Sequence, residues 1–282
     1  MNSPKRVEEA APPEVSVRSV AVGAATFTYA EAGTGHALVL LHGIGSGARS
    51  WKHQLADLSR DFRVIAWDAP GYGGSTPVAA EHPDASDYAA ALARLLDALS
   101  VDKLDLVGHS LGTVTALRFA RQHPDRVRSL TLASLSSGHA GLGVDEQKRL
   151  RDARLSDLET LGPSGMAQKR GPRLLSAAAT PAQVQAVIDT MASIHPDGFR
   201  QAVWMLSTAD TAADLASLPP QMPVQIVYGD ADVVTTPQSI ANVARARPEA
   251  PLRAIAGAGH AVYLEQPQRF NAIVREWVQA KR

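Results

Sequence analysis

The sequence predicts an α/β fold with a mostly parallel central sheet, helices on both faces of that sheet, and one inserted helical segment. Short aliphatic segments of strand length alternate with longer segments in which apolar residues recur three and four positions apart. The alternation stops after Ser134, gives way to helical segments alone, and resumes at Met222. Because strands return after the interruption, we interpret the helical segment as an insertion into one domain and not as a second domain.

The predicted strands begin with an antiparallel pair, and the later ones each end in a turn of polar or small residues. The opening pair is "VSVRSVAVG" and "ATFTYAEAG", and the later strands are "ALVLLHG", "FRVIAWDAPG", "KLDLVGHS", "VRSLTLAS", "MPVQIVYGD" and "PLRAIAGAGH". The helices of the core are "SWKHQLADLSR", "ASDYAAALARLLDALS", "LGTVTALRFARQHP" and the closing "PQRFNAIVREWVQA". The carboxyl ends of the strands are where α/β folds bind their ligands.

These elements divide the chain into three structured parts and a tail. We predict that residues 15–137 form the first part of the α/β core, that residues 138–208 form a helical lid, and that residues 209–282 complete the core. Residues 1–14 are polar and contain prolines, which predicts a flexible tail.

The charge balance and the absence of cysteine exclude several function classes. Lys and Arg together number 28, as do Asp and Glu, so no net positive field attracts nucleic acid. The lack of cysteine excludes a disulfide framework, a thiolate metal site and a cysteine nucleophile. Neither a signal peptide nor a membrane-spanning segment is recognisable, so we expect a cytoplasmic protein that binds a small-molecule substrate and neither nucleic acid nor membrane. The sequence leaves the oligomeric state open.

Ser110 follows a predicted strand and lies between two glycines in "LDLVGHSLGT". On one interpretation, Gly108 and Gly112 only tighten a strand-to-helix turn. The same spacing, G-x-S-x-G, is also that of a nucleophile elbow, in which a strained turn holds a reactive serine clear of the sheet. The pentapeptide does not separate the two interpretations, so the rest of the chain must decide.

A histidine and two acidic residues follow the last two predicted strands. His260 comes directly after the glycines of "GAGH", and Asp230 and Asp232 lie in "VYGDADVV". If these strands are parallel to the one before Ser110, all of these side chains lie at one edge of the sheet. The chain order serine, acid, histidine matches one of the known serine triads.

Five motifs together resemble those of the α/β-hydrolase superfamily, over essentially the whole chain except the tail and the predicted lid. They are H-G-I-G (42–45), D-A-P-G-Y-G-G-S (68–75), G-H-S-L-G (108–112), G-D-A-D (229–232) and G-H-A-V-Y-L-E-Q-P (259–267). The resemblance implies a triad and an oxyanion hole. It implies Ser110 as nucleophile, His260 as general base and then acid, Asp232 as the residue that orients the imidazole, and the backbone N–H groups of Ile44 and Leu111 as oxyanion donors.

One position departs from the family pattern. In many relatives a proline lies four residues after the catalytic acid, where this chain has Thr236 followed by Pro237. This keeps Asp230 as an alternative acid, although Asp230 lies nearer its strand and is suited to accept a hydrogen bond within the turn. His42 resembles a family position that supports the oxyanion loop.

The predicted lid contains large apolar side chains from which a substrate pocket could be built. They include Met191 and Phe199, and we predict that the pocket itself is lined by His42, Met166, Trp204 and Met205. On this prediction, replacing Trp204 by alanine alters the preference for acyl chain length more than it alters stability. Arg170 and Arg173 could meet a single carboxylate, so we expect a small, largely apolar substrate with at most one negative charge.

The site predicts hydrolysis of a carboxylic ester or lactone through an acyl-enzyme, with no metal or organic cofactor. The resemblance leaves more than one reaction open. Ser110 argues against the epoxide hydrolases and haloalkane dehalogenases, which resemble this chain but carry aspartate at the nucleophile position. It does not argue against carbon-carbon bond hydrolases, which keep serine there. The segment "DAPGYGGS" resembles those of carbon-carbon bond hydrolases of aromatic catabolism, whereas "HPDGFRQAVWMLSTAD" is similar to enol-lactone hydrolases. A ligand-binding receptor with a residual triad, and an acyltransferase or lyase, are further alternatives.

Overall fold

The computed structural model describes residues 16–281, so the predicted tail, residues 1–14, lies outside the described residues. Eight strands form one sheet in the spatial order β1-β2-β4-β3-β5-β6-β7-β8. The β1–β2 and β2–β4 pairs are antiparallel, and all other neighbours are parallel. The strands are β1 Ser16–Val22, β2 Ala25–Ala32, β3 Ala37–Leu41, β4 Arg63–Trp67, β5 Leu104–His109, β6 Val127–Ala133, β7 Val224–Gly229 and β8 Leu252–Ile255.

Helices cover both faces of this sheet, which confirms the predicted fold class. They are α1 Lys52–Leu58, α2 Ala85–Ala98, α3 Leu111–Gln122, α4 Val144–Arg170, α5 Pro181–Ala192, α6 Pro196–Thr208, α7 Thr211–Ala216, α8 Pro237–Ala244, α9 Val262–Glu265 and α10 Pro267–Gln279. Among the described residues, no helix has both the length and the apolar character that a bilayer crossing requires.

Alternate residues of the central strands enter two separate cores. In β3, Val39 and Leu41 pack into a cluster that includes α2 and α3, whereas Leu38 and Leu40 pack into a cluster with α1 and α10. Successive side chains of a strand point to opposite faces, so a strand covered on both faces is mostly apolar, and a polar residue in it, such as Asp105 of β5, needs partners, here His36 and Ser129. All five residues of β3 and all six of β5 are accordingly buried.

The segment between β6 and β7 is helical throughout its regular structure. It contains α4 to α7, although β6 and β7 are direct neighbours in the sheet. The two ends of the segment meet, because Gly138 pairs with Asp210 through an isolated β-bridge. We call residues 138–208, the stretch predicted as a lid, the insert.

The first helix of the insert has a kink that the sequence pattern did not predict as internal. The segment "GVDEQKRLRDARLSDLETLG" predicts a helix that ends at Gly162, but α4 continues to Arg170. Gly162 adopts a positive φ of 63° and is followed by Pro163, which removes a helical donor. The kink folds the second half of α4 back toward the first.

Candidate active site

A cavity of about 300 Å³ lies at the carboxyl edge of the parallel strands. Residues that follow β3, β5, β7 and β8 form its floor, among them Ile44, Ser110, Thr235 and His260. Helices α4 to α6 of the insert supply the opposite wall. The topology thus brings segments that are far apart in the sequence to one enclosed space.

Ser110 occupies a strained turn between β5 and α3. Its φ of 52° and ψ of −115° are unusual for a residue with a side chain. Its N–H donates to the Ala133 carbonyl at 2.9 Å, which fixes the turn against β6. The turn needs glycine on both sides, because a Cβ on Gly108 would lie 2.5 Å from the Gly112 carbonyl oxygen. A Cβ on Gly112 would lie 2.3 Å from the carbonyl oxygen of Leu41.

We expect Gly112→Ala to lower the free energy of unfolding by several kcal/mol, on the order of 3 kcal/mol, because the new methyl group meets rigid backbone that must shift. Chemical denaturation monitored by circular dichroism measures this. Gly141→Ala is the matched control, since no atom lies within 4 Å of the Cβ it would add. Equal stability of the two variants would contradict the close approach described above.

His260 and Asp232 form a buried hydrogen-bonded pair. The His260 Nδ1–H donates to Asp232 Oδ2 at 2.8 Å, and each residue is 3% exposed. The other carboxylate oxygen accepts from the N–H groups of Val234 and Thr235 at 2.7 and 3.0 Å. Burial raises the pKa of Asp232, but the His260 hydrogen bond and charge and the donors of Val234 and Thr235 outweigh it and lower the pKa below its ordinary value. Asp232 is therefore ionised.

Asp230 lies apart from this pair. Its side chain is exposed and its Oδ1 accepts from the Gly257 N–H at 2.7 Å, across the turn that follows β8. Of the two acids considered from the sequence, the structure brings Asp232 and not Asp230 to His260.

Three further side chains around the pair were not predicted from the sequence. The Thr235 hydroxyl donates to Asp232 Oδ2 at 2.8 Å and lies 3.2 Å from His260 Nδ1. The His260 carbonyl accepts from Ser134 Oγ at 2.7 Å and from His109 Nε2 at 2.9 Å. Burial, and then the charge of His260, lower the pKa of His109 to about 3, so its ring is neutral. The position of His109 within the elbow motif was the available signal.

Two residues that line the cavity have backbone N–H groups without an acceptor in the described part of the chain. Within residues 16–281, neither the Ile44 N–H nor the Leu111 N–H donates a hydrogen bond to the protein, and both residues line the cavity. The Leu111 N–H is free because Leu111 is the first residue of α3. Tyr72 holds the loop that follows β3, which we call the Ile44 loop, because its hydroxyl donates to the Ile44 carbonyl at 2.6 Å.

None of the four pocket residues predicted from the sequence is among the residues that line this cavity. His42 is buried beneath the loop, where its Nδ1–H donates to the Gly43 carbonyl and its Nε2 accepts from the Ala69 N–H. Met166 and Met205 are fully buried in the core cluster beside the α2 face of the sheet. Trp204 stacks on His82 at 3.8 Å between ring centroids and under the Arg151 guanidinium. Met166, Trp204 and Met205 thus pack the insert, and His42 supports the loop that follows β3.

The apolar wall of the cavity comes from a different set of residues. Met191, Phe199 and Leu206 of α5 and α6 line it. The Met191 side chain lies over the Ile44 loop, because a Cβ on Gly45 would be only 2.6 Å from Met191 Cε. The wall is not uniformly apolar, since it also carries His139, Arg154, Arg170 and Arg173.

No group of three or more His, Cys, Asp or Glu side chains in the described part of the chain is arranged so that it could hold a metal ion. The site contains the serine Ser110, the imidazole–carboxylate pair and two backbone N–H groups that have no acceptor within residues 16–281. The sequence pattern of the alpha/beta hydrolase fold matches residues 36–267.

The chain belongs to the α/β hydrolase fold family. An uncharacterized protein of Mycobacterium tuberculosis is 30% identical to this α/β hydrolase over 96% of the chain and 83% of its own length. The solved structure of a thermophilic esterase from Thermogutta terrifontis is 26% identical, covers 95% of this chain and 99% of its own, and has a TM-score of 0.82. The 2-hydroxy-6-oxo-6-phenylhexa-2,4-dienoate hydrolase of Comamonas testosteroni is 37% identical over 41% of each chain. The resemblance inferred from the motifs is thereby confirmed.

Proposed function

We propose that this α/β hydrolase cleaves a small carboxylic ester or lactone through an acyl-enzyme on Ser110. The observation that carries the proposal is the convergence on one cavity of a strained serine, an imidazole held by a buried carboxylate, and two free N–H groups. The same elements recur in hydrolases of unrelated fold, so the inference rests on the site and its geometry.

In the proposed reaction, His260 Nε2 takes the hydroxyl proton as Ser110 Oγ attacks the substrate carbonyl. The Nδ1–H bond to Asp232 leaves Nε2 as the unprotonated nitrogen, which is the tautomer that a general base requires. Asp232 stays ionised and stabilises the imidazolium that forms. His260 then protonates the departing alkoxide, the acyl group remains on Ser110, and water hydrolyses it by the same route.

The negative charge that develops on the carbonyl oxygen is assigned to the N–H groups of Ile44 and Leu111. Two preset donors of this kind need no reorganisation during the reaction, and loss of one donor typically costs about 3 to 4 kcal/mol of transition-state stabilisation. His42 and Tyr72 act as positioning residues for the Ile44 loop, since both bond to its backbone. The insert acts as a lid that screens the site from water.

Steady-state turnover of 4-nitrophenyl butanoate tests the proposal. An enzyme is expected to release many equivalents of nitrophenol per site, preceded by a burst when deacylation is slow. A receptor with a residual triad would release one equivalent or fewer, and that outcome would reject the enzymatic function.

We expect Leu206→Ala to shift the preference among 4-nitrophenyl esters toward longer acyl chains, by about tenfold in the ratio of hexanoate to acetate turnover. The substitution removes apolar volume from the cavity wall, and one or two methylenes in a pocket are worth about 1–3 kcal/mol. The kcat/KM values for a series of chain lengths measure the shift, well below the unfolding temperature of the variant.

Trp204→Ala is the matched control for this series, because Trp204 lies on the same helix but stacks on His82 outside the cavity lining. The chain-length preference of Trp204→Ala is expected to equal that of the wild type. This expectation replaces the altered preference that the sequence alone predicted for this substitution. A shift in Trp204→Ala without one in Leu206→Ala would contradict the assigned wall.

Carbon-carbon bond hydrolysis is the second candidate function. It is favoured by the Comamonas testosteroni relative, which hydrolyses a 2-hydroxy-6-oxo-dienoate by its name and is 37% identical over 120 residues. A vinylogous diketone of that class, followed by loss of its absorbance, distinguishes the two reactions. Faster turnover of the diketone than of every simple ester would make it the primary function.

A further inference from the structure

The cavity wall carries an excess of positive charge. Arg154, Arg170 and Arg173 line the cavity together with His139, and no Asp or Glu is among the lining residues of the described chain. All four basic side chains lie on the side of the insert, opposite the floor that carries Ser110 and His260. The arrangement is one-sided, so the charge is not balanced across the cavity.

One of these arginines is neutralised by the protein itself. Arg170 Nε donates to Asp157 Oδ2 at 2.7 Å, while the other oxygen of Asp157 accepts from Lys169 at 2.6 Å. Both partners come from the second half of α4, which the Gly162 kink folds back. Within residues 16–281, no hydrogen bond or ion pair joins Asp157 to Arg154, although Arg154 lies only three residues before it on the same helix.

Arg154 has no hydrogen-bond acceptor or ion-pair partner among residues 16–281. Burial, and then the charge of Arg170, lower the pKa of Arg154 to about 10, so the guanidinium is still charged at neutral pH but its charge is poorly solvated. A half-buried cation that lacks a partner is less favourable in the folded state than one that is fully hydrated or paired. An anion in the cavity would relieve that cost.

His139 adds a second unsatisfied group beside Arg154. Its Nδ1 is buried without a hydrogen-bond partner in the described part of the chain. Burial, and then the charge of Arg154, lower the pKa of His139 to about 4, so the ring is neutral at pH 7 and contributes polarity without a second charge. Arg173, by contrast, is exposed and its charge is screened by solvent. Of the three arginines that line the cavity, Arg154 is thus the one that is neither ion-paired nor exposed.

We propose that Arg154 binds a carboxylate of the substrate, with His139 as a neutral hydrogen-bonding neighbour, while the scissile ester or lactone lies at Ser110. This assignment rests on the proposed function and narrows its substrate class to a monoanion, such as the half-ester of a dicarboxylic acid. A planar carboxylate matches the fork of a guanidinium, and one negative charge matches the one half-buried cavity arginine that has no ion pair. The apolar residues Met191, Phe199 and Leu206 then contact the chain between the two ends.

The test compares two esters of similar size, 4-nitrophenyl hydrogen adipate and 4-nitrophenyl 6-methylheptanoate, in which an isopropyl group replaces the carboxylate. Wild type is expected to favour the half-ester in kcat/KM. In Arg154→Met that selectivity ratio is expected to fall about 100-fold, because one charge-assisted pair in a desolvated site is lost. An unchanged ratio in Arg154→Met would overturn the assignment.

Arg151→Met is the matched control. Arg151 lies on the same helix but packs over the Trp204 ring at 4.1 Å and is absent from the cavity lining. Its selectivity ratio is expected to equal that of the wild type. A fall as large as that of Arg154→Met would show an effect of overall charge and would overturn the assignment.

Thermal unfolding separates a binding role from a structural one. Without ligand, Arg154→Met is expected to unfold at the same temperature as wild type or a higher one, because an unpaired, half-buried charge has been removed. A lower unfolding temperature, together with equal losses on both esters, would assign Arg154 to the packing of the insert and overturn the proposal.

A binding measurement keeps this test independent of the proposed reaction. Isothermal titration calorimetry with monomethyl adipate is carried out on Ser110→Ala and on Ser110→Ala combined with Arg154→Met. Binding that weakens by at least tenfold in the double variant supports the anion site even if wild type hydrolyses neither ester, in which case only the proposed function fails. Equal binding, or none to Ser110→Ala, overturns the anion site whatever the activity.

Discussion

Ser110→Ala is expected to lower kcat for ester hydrolysis by about a million-fold, to the level supported by binding and the oxyanion donors alone. The variant loses the only oxygen that can carry the acyl group at the turn between β5 and α3. His260 and Asp232 remain in place but have no hydroxyl to activate. The backbone turn is retained, since its close approaches involve Gly108 and Gly112 and not the serine side chain.

Two measurements check this prediction. Initial rates with 4-nitrophenyl butanoate give the loss of kcat, and intact mass spectrometry after rapid quenching reveals the acyl adduct of wild type and its absence in Ser110→Ala. Ser137→Ala is the matched control, because Ser137 also lines the cavity but donates only to the neighbouring Gly138 carbonyl. Residual activity above one per cent in Ser110→Ala, or acylation at another residue, would refute the nucleophile assignment.

Asp232→Asn is expected to lower kcat by about ten-thousand-fold while the fold is retained. The amide NH₂ group would donate to His260 Nδ1 and leave the proton on Nε2, which is the wrong tautomer for a general base. The imidazolium formed during attack would also lose its carboxylate partner. Asp230→Asn is the control, since an amide oxygen can still accept from the Gly257 N–H and Asp230 is exposed. A larger loss in Asp230→Asn than in Asp232→Asn would reverse the assignment of the acid.

The Asp232 substitution also has a signature in stability. The pKa of Asp232 is lower in the folded chain than its ordinary value near 3.9 in the unfolded chain. The resulting stabilisation is present above the unfolded pKa and is lost as pH falls through the folded pKa. Denaturation of wild type and Asp232→Asn between pH 7 and pH 2 should therefore give stability curves that converge on the acid side. Curves that stay parallel would contradict the ionised, stabilising carboxylate.

The sequence by itself determined the fold class and the three side chains proposed as the triad. The fold class could be predicted because strands buried on both faces are mostly apolar and covering helices are amphipathic. Both patterns are visible within short segments of the sequence. The elbow could be predicted because its motif is short and local, although the approach that requires Gly112 is to the carbonyl of Leu41 on another strand. Asp232 was favoured over Asp230 by motif, and the carboxylate bond to His260 is the contact that favours it in the structure.

Only the tertiary structure decided which residues form the cavity wall. Helix α6 is buried over a wide arc, so its periodicity could not separate a side chain that faces the core from one that faces the cavity. Phe199 and Leu206 are seven residues apart and share a face, whereas Trp204 points about 200° away from Leu206 around the helix axis. The presence of a large aromatic side chain in the insert therefore did not indicate a pocket residue. The direction in which the side chain leaves the helix did.

The isolation of Arg154 depended on tertiary structure for a similar reason. From the sequence, Asp157 is its natural partner at a spacing of three residues on one helix. The Gly162 kink instead brings Lys169 and Arg170 to Asp157, twelve and thirteen residues further along the chain. Distances between folded segments decide which charges pair. The positive φ of Gly162 changes those distances, so the tertiary structure was needed to recognise Arg154 as unpaired.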